Sequence, residues 1–199
     1  MTNDIYSAPA AALEQPVETA SEKFYVVAPL KFWVLFLSTV GLYQVYWFYR
    51  HWHQFRMVTQ EKIWPVPRGL FAIFFVHRLF REMDAAVKQK TGGVAWSPDL
   101  VATGYLLGAV VSNVCDRLSG KDVGSPYTDV VSLVLLPLVG WFLYQAQQVA
   151  NLAMGDPAGA SNRQFSAANI VWIVLGCLFW ALVALGLLVI FMPDQFGLE

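Results

Sequence analysis

Three histidines carry the chemistry that this chain offers first. His51 and His53 stand in YWFYRHWHQF, and His77 stands in FFVHRLF. Imidazole ligates metals and transfers protons near neutral pH. The spacing opposes a shared metal, because residues two apart on a helix point about 200° away from each other. No cysteine or carboxylate stands at a supporting interval either. Histidines at a membrane interface, beside a belt of aromatic side chains, are the plainer expectation, with no metal and no cofactor. Ser38, Ser112, Ser125 and Ser132 lack a nucleophile-elbow context, and no glycine-rich loop resembles a phosphate cradle. Asp116 and Arg117 read as a surface pair at a helix end. Asp156-Pro157-x-Gly159-x-x-Asn162 reads as a turn. No catalytic residue is therefore assigned. An enzyme using His51, His53, His77 or Asp116 is the weakest of three functional readings.

The best polar constellation is Tyr43 and Gln44 with Gln145, Gln148 and Asn151 further along the chain. Buried polar side chains between membrane helices either hold the helices together or line a cavity. Gln44, Gln145, Gln148 and Asn151 are the residues expected to line one, in a small oligomeric transporter or channel component.

Composition states what must position such residues. Of 199 residues 57% are apolar and only 14% are charged, against about 25% charged in ordinary soluble domains. The excess lies in long runs, which indicates an integral membrane protein of the all-α class. Four spans are expected, at about 29–49, 99–118, 130–150 and 169–192, in one membrane domain covering 24–199. Residues 1–23, rich in Ala, Pro, Glu and Thr, read as a disordered acidic tail. Gly104, Gly108 and Ser112 make a stripe of small residues on the second span, suited to close helix packing. Pro137 and Gly140 predict a kink in the third. Cys115 and Cys177 fall about 12 Å apart in depth at 1.5 Å per residue, too far for a disulfide.

The first span is the most aromatic part of the chain. Residues 24–55 hold 12 of its 30 aromatic residues. Tyr43, Tyr46, Trp47, Tyr49 and Trp52, with Arg50, form an expected membrane-interface anchor, since Tyr and Trp rings favour the lipid–water boundary. Trp64-Pro65-Val66-Pro67 then turns the chain. In 68–90 the uninterrupted apolar core, Leu70 to Val76, is seven residues, whereas a span needs about 17–25. Val76, Leu79, Phe80, Met83 and Val87 recur at helical spacing, with charge on the other side. An amphipathic helix lying in the interface is expected, and a re-entrant segment is the alternative.

Charge sets the expected orientation. Residues 50–99 carry eight Lys/Arg against four acids. Under the positive-inside rule this face is cytoplasmic, which with four spans puts both termini outside.

Gly41-Leu-Tyr43-Gln-Val-Tyr46-Trp47-Phe48-Tyr49-Arg50 resembles the G-x-Y-x-x-Y-W-x-Y-[RK] signature of a group of uncharacterised bacterial inner-membrane proteins. The likeness is firm over 24–80 and weaker beyond. It implies a bacterial cytoplasmic-membrane location and a small helical bundle, and it carries over no functional residues. The leading expectation is a non-enzymatic scaffold or accessory protein. Arg56, Arg68, Arg78 and Arg81 on its basic face would contact anionic lipid and a partner, either a membrane protein or a second copy. Nothing in the sequence suggests nucleic acid.

Overall fold

Thr39 decides the path of the first apolar stretch. In the computed structural model, which describes residues 23–191, its hydroxyl donates to the Leu35 carbonyl at 2.7 Å and accepts the Tyr43 N–H at 3.0 Å. One side chain thus ends α1 (Pro29–Ser38) and caps α2 (Tyr43–Thr59). Val40 and Gly41 follow in the left-handed region, at φ 50 and 79, where a helix cannot continue. The Gly41 N–H closes the turn on the Phe36 carbonyl at 2.8 Å.

The expected first span is therefore not one helix. The ten residues of α1 rise about 15 Å, half of a bilayer's hydrocarbon core of about 30 Å. Then α2 runs back, and the hairpin closes at its mouth, where the Phe24 and Phe55 rings lie 6.2 Å apart.

A second break, at Phe71, separates α3 (Pro65–Leu70) from α4 (Ala72–Thr91). The amphipathic pattern expected over 68–90 is present on α4, but its apolar stripe does not face lipid. Val76, Leu79, Phe80, Met83 and Val87 are fully buried in a helix packed on α5 and α6. The same period serves a membrane surface and a protein core, so sequence alone could not separate them. Val66 on α3 and Leu70, Phe71 and Phe74 around the break are the large apolar side chains these two helices leave exposed.

Three helices are long and apolar enough to cross a membrane: α5 (Pro98–Ser119), α6 (Tyr127–Met154) and α7 (Ala167–Phe191). They match the last three expected spans to within a few residues, although Met192 lies outside the described residues, as does most of the expected acidic tail. Among the described residues every regular element is helical. Antiparallel α5 and α6 pack where Gly104 meets the Phe142 ring and Gly108 meets Val139. Ser112 is half-buried. A Cβ on Gly104 would stand 2.5 Å from that ring, so the stripe has a steric basis. By contrast α7 packs on α1 alone and turns Leu, Val, Trp and Phe side chains outward along its length.

The two ends of the described chain lie at opposite ends of the bundle. The Phe24 N–H reaches the Met154 sulfur at 3.4 Å, beside the loop that leads into α7, whereas Phe191 ends α7 at the far side. The α1–α2 hairpin enters and leaves the bundle at one end.

Candidate functional site

Residues 24–28 form no helix and pair with no strand among the described residues, yet Phe24, Val26 and Val27 are buried. Their peptide groups need partners, because a buried backbone donor or acceptor left unpaired is costly. Side chains supply them. The Tyr25 N–H donates to His51 Nδ1 at 3.3 Å, and Gln147 Nε2 donates to the Tyr25 carbonyl at 2.9 Å. Asn151 pairs with both groups of Val27, its Oδ1 accepting at 3.2 Å and its Nδ2 donating at 2.9 Å. Asn162 Nδ2 donates to the Val26 carbonyl at 2.8 Å. Gln147 also donates to Asn151 Oδ1 at 2.7 Å and accepts from Trp47 Nε1. One amide ladder on α6 thus does for this segment what a neighbouring strand does in a sheet.

This geometry redistributes the expected polar residues. Asn151 belongs to the ladder. Gln44 instead accepts from the Tyr105 hydroxyl at 2.9 Å. Gln148 is exposed and donates to Tyr144, and Gln145 lies with it in a shallow depression beside Val94 and Trp96. The four do not line one cavity. Gln147, which was not among the expected residues, is the central member. Its signal was its position one helical turn before Asn151, which puts both on one face.

His51 is fully buried, with its ring centroid 4.1 Å from that of Trp47. Since Nδ1 accepts from Tyr25, the proton of the neutral ring sits on Nε2. Burial lowers its pKa to about 3, so it acts as a neutral acceptor. The sign of the consequence is fixed. Between about pH 6.5 and 3 the unfolded chain binds a proton that the folded chain does not, so stability falls as pH falls through that window. The expected slope is about 1 kcal/mol per pH unit, read from denaturation at several pH values. A His51→Gln variant should be less stable at pH 8 and flatter between pH 6 and 4. His53 packs on Tyr49, and His77 bonds Thr103 at 3.1 Å. Among the described residues no three His, Cys, Asp or Glu are placed to hold a metal.

The aromatic belt is largely turned inward. Trp47 and Trp52 have no exposed surface, and Tyr43 is buried, leaving Tyr46 exposed and Tyr49 half-buried. A ring anchored at the lipid boundary must reach it, and these tryptophans instead fill the core among α2, α4 and α6. The arginines are also engaged. Arg68 stacks between Trp52 and Phe75, at 4.4 and 5.1 Å from their centroids. Arg78 pairs with Glu61 at 2.5 Å and Arg81 with Asp99 at 2.7 Å. Arg56 is exposed.

Beside the hairpin mouth lies a polar cavity of about 350 Å³, lined among others by Lys31, Arg50, Gln54, Asn162, Ser166 and Asn169. It shares Tyr46, Ser166 and Asn169 with an apolar groove of about 250 Å³ that runs between α1, α2 and α7 past Leu35, Leu42 and Trp172. Lys31 is 5% exposed, and its ammonium donates at 2.6 Å to Asn162 Oδ1 and to the Gln164 carbonyl. The Arg50 guanidinium lies 5.0 Å from the Tyr25 ring and 6.0 Å from that of Tyr46. Neither cation has an acidic partner among the described residues. Ser166 and Asn169 bond reciprocally at the start of α7, each backbone N–H donating to the other's side chain.

Comparison with protein-family models, with curated proteins and with solved structures gives no match for this chain.

Proposed function

We infer that this is a non-enzymatic inner-membrane scaffold or accessory protein that works from its basic end. The observation carrying this reading is the segregation of charge. Of the 13 Lys/Arg, only Arg117 and Lys121 belong to the α5–α6 end. The other 11 gather at the hairpin mouth, along α3 and α4, and in the loop before α7. Within the described residues five Asp/Glu accompany those 11, and three accompany Arg117 and Lys121. In this reading α5, α6 and α7 cross the bilayer while α1–α2 dips in and returns. The basic end is cytoplasmic by the positive-inside rule, and so is the point at which residue 23 leaves the hairpin. The likeness of 41–50 to bacterial inner-membrane proteins supports the location.

Each Lys or Arg near an anionic leaflet contributes about 1 kcal/mol of attraction. Arg56, exposed, and Arg78 and Arg81, solvent-screened in surface pairs, are the accessible cations that would hold the partner. Changing all three to glutamine should reduce recovery of a crosslinked partner from native membranes at least fivefold. A reporter fused at position 58 should stay cytoplasmic. Unchanged recovery would remove the scaffold reading, and a periplasmic reporter would reverse the orientation.

A further inference from the structure

We propose that the Lys31–Arg50 cavity and the groove joined to it form a site for one anionic phospholipid, with its phosphate between the two cations and an acyl chain along Leu35, Leu42 and Trp172. The proposal rests on the membrane reading above but not on the partner.

Charge is the first argument. Buried cations in proteins are paired with anions. Lys31 is buried, yet its hydrogen bonds go to two neutral oxygens, and an ammonium has a third donor to give. Arg50, in the same cavity, has Nε buried with no hydrogen-bond partner. The Tyr25 and Tyr46 rings hold the guanidinium in place. A guanidinium and an ammonium facing one space suit the several oxygens of a phosphate better than one carboxylate. The start of α7, a helix of 25 residues, borders the cavity through Ser166 and Asn169 and turns its positive dipole end to the same space.

Shape is the second argument. A free inorganic anion needs only the polar part. Here the polar cavity opens into an apolar groove, because α7 touches the bundle only at α1 and leaves a cleft beside α2. The groove continues past Leu42, Tyr46 and Trp172 towards Val66 and Leu70. A charged compartment joined to an apolar one matches an anionic amphiphile. In a protein with three membrane-crossing candidates, a phospholipid is the amphiphile at hand. The cavity and groove together fall within the roughly 300–1,000 Å³ of ligand pockets.

The test uses the full chain, delipidated in a neutral detergent. Three probes are offered: phosphatidylglycerol, phosphatidylcholine with the same chains, and water-soluble glycerophosphoglycerol. Native mass spectrometry and a thermal-shift titration read the binding. One phosphatidylglycerol should be retained, at least tenfold more tightly than phosphatidylcholine. Arg50→Gln and Lys31→Met should each weaken it about tenfold or more, whereas Lys62→Gln, an exposed cation at the same end, should leave it unchanged. Trp172→Ala should weaken the lipid but not the soluble headgroup. Equal affinity for phosphatidylcholine would overturn the proposal, as would a soluble headgroup binding as tightly as the lipid. Loss through Lys62→Gln equal to that through Arg50→Gln would make the effect a surface attraction, and would also overturn it. If Lys31→Met fails to fold because Asn162 loses its partner, Arg50→Gln decides alone. Partner recovery by the triple arginine variant is a separate readout, so the site and the scaffold reading can fail independently.

Discussion

Replacing Asn151 by leucine is expected to destabilise the folded chain by about 2–6 kcal/mol, because two buried backbone groups each lose a partner at about 1–3 kcal/mol apiece. Asn151 is 1% exposed, and its amide satisfies the N–H and the C=O of Val27 together. Leucine is similar in volume but offers neither group, and Gln147 Nε2 loses an acceptor as well. Among the described residues no neighbouring strand exists to take over, and Val27 is shut off from water. Asn151→Asp separates the two halves of the interaction, since a carboxylate still accepts from the Val27 N–H but cannot donate to its carbonyl. Equilibrium unfolding in detergent micelles measures the loss, and protease cleavage within 23–28 reports where it acts. Gln147→Leu combined with Asn151→Leu should cost less than the sum of the two, because both release the same segment. A change of less than about 0.5 kcal/mol for Asn151→Leu, the range of ordinary surface substitutions, would show that the ladder does not hold residues 24–28.

Gly176→Leu should release α7 from the bundle. A Cβ on Gly176 would collide with the Ser38 carbonyl, which is backbone and cannot swing aside as a flexible side-chain end does. Forced overpacking of this kind costs about 1–3 kcal/mol, occasionally more. The consequence exceeds the local strain because, among the described residues, α1 is the only helix on which α7 packs. Separation would also strip the Leu37 carbonyl, near the end of α1, of its hydrogen bond from Trp180 Nε1 at 2.8 Å. A pair of cysteines engineered across α1 and α7 should crosslink in the parent protein and lose at least tenfold in rate with Gly176→Leu. Gly186→Leu is the matching control, since nothing lies within 4 Å of a Cβ there. Equal rates in the two variants would mean that α7 is held by lipid or a partner rather than by its glycine seat.

Much of this protein was legible in the residues. The long apolar runs of α5, α6 and α7 announce themselves because a helix facing lipid must be apolar along most of its circumference. The amphipathic period of α4 and the basic excess of 50–99 are equally plain. Gly104 and Gly108 could be placed on a packing face because small residues four apart share one side of a helix. Each of these features is local, so counting and periodicity recover it.

What escaped sequence reading depends on partners distant in the chain. Nothing in Ser38-Thr39-Val40-Gly41 resembles the proline-based breaks elsewhere, and a mainly apolar stretch from Pro29, with Lys31 as its one charge up to Tyr49, reads naturally as a span. The break depends on one hydroxyl bonding both helices and on a β-branched Val40 accepting a positive φ. The tryptophans of α2 have the composition of an interface belt, but burial against α4 and α6 makes them core. Composition states that a ring prefers a partly apolar setting, not whether lipid or protein supplies it. The pairing of Lys31 with Arg50 crosses the α1–α2 turn, and its polar lining comes from the loop before α7, so no motif could announce it. The sequence alone determined that this is a helical membrane protein with charge segregated to one end, because hydropathy and charge are sums over neighbouring residues. Only the tertiary structure decided that its first apolar stretch returns on itself, that an amide ladder clamps a segment outside any helix, and that two cations share a cavity. Each of those rests on groups more than a hundred residues apart meeting within hydrogen-bond distance, or on a turn that reverses an otherwise continuous helix.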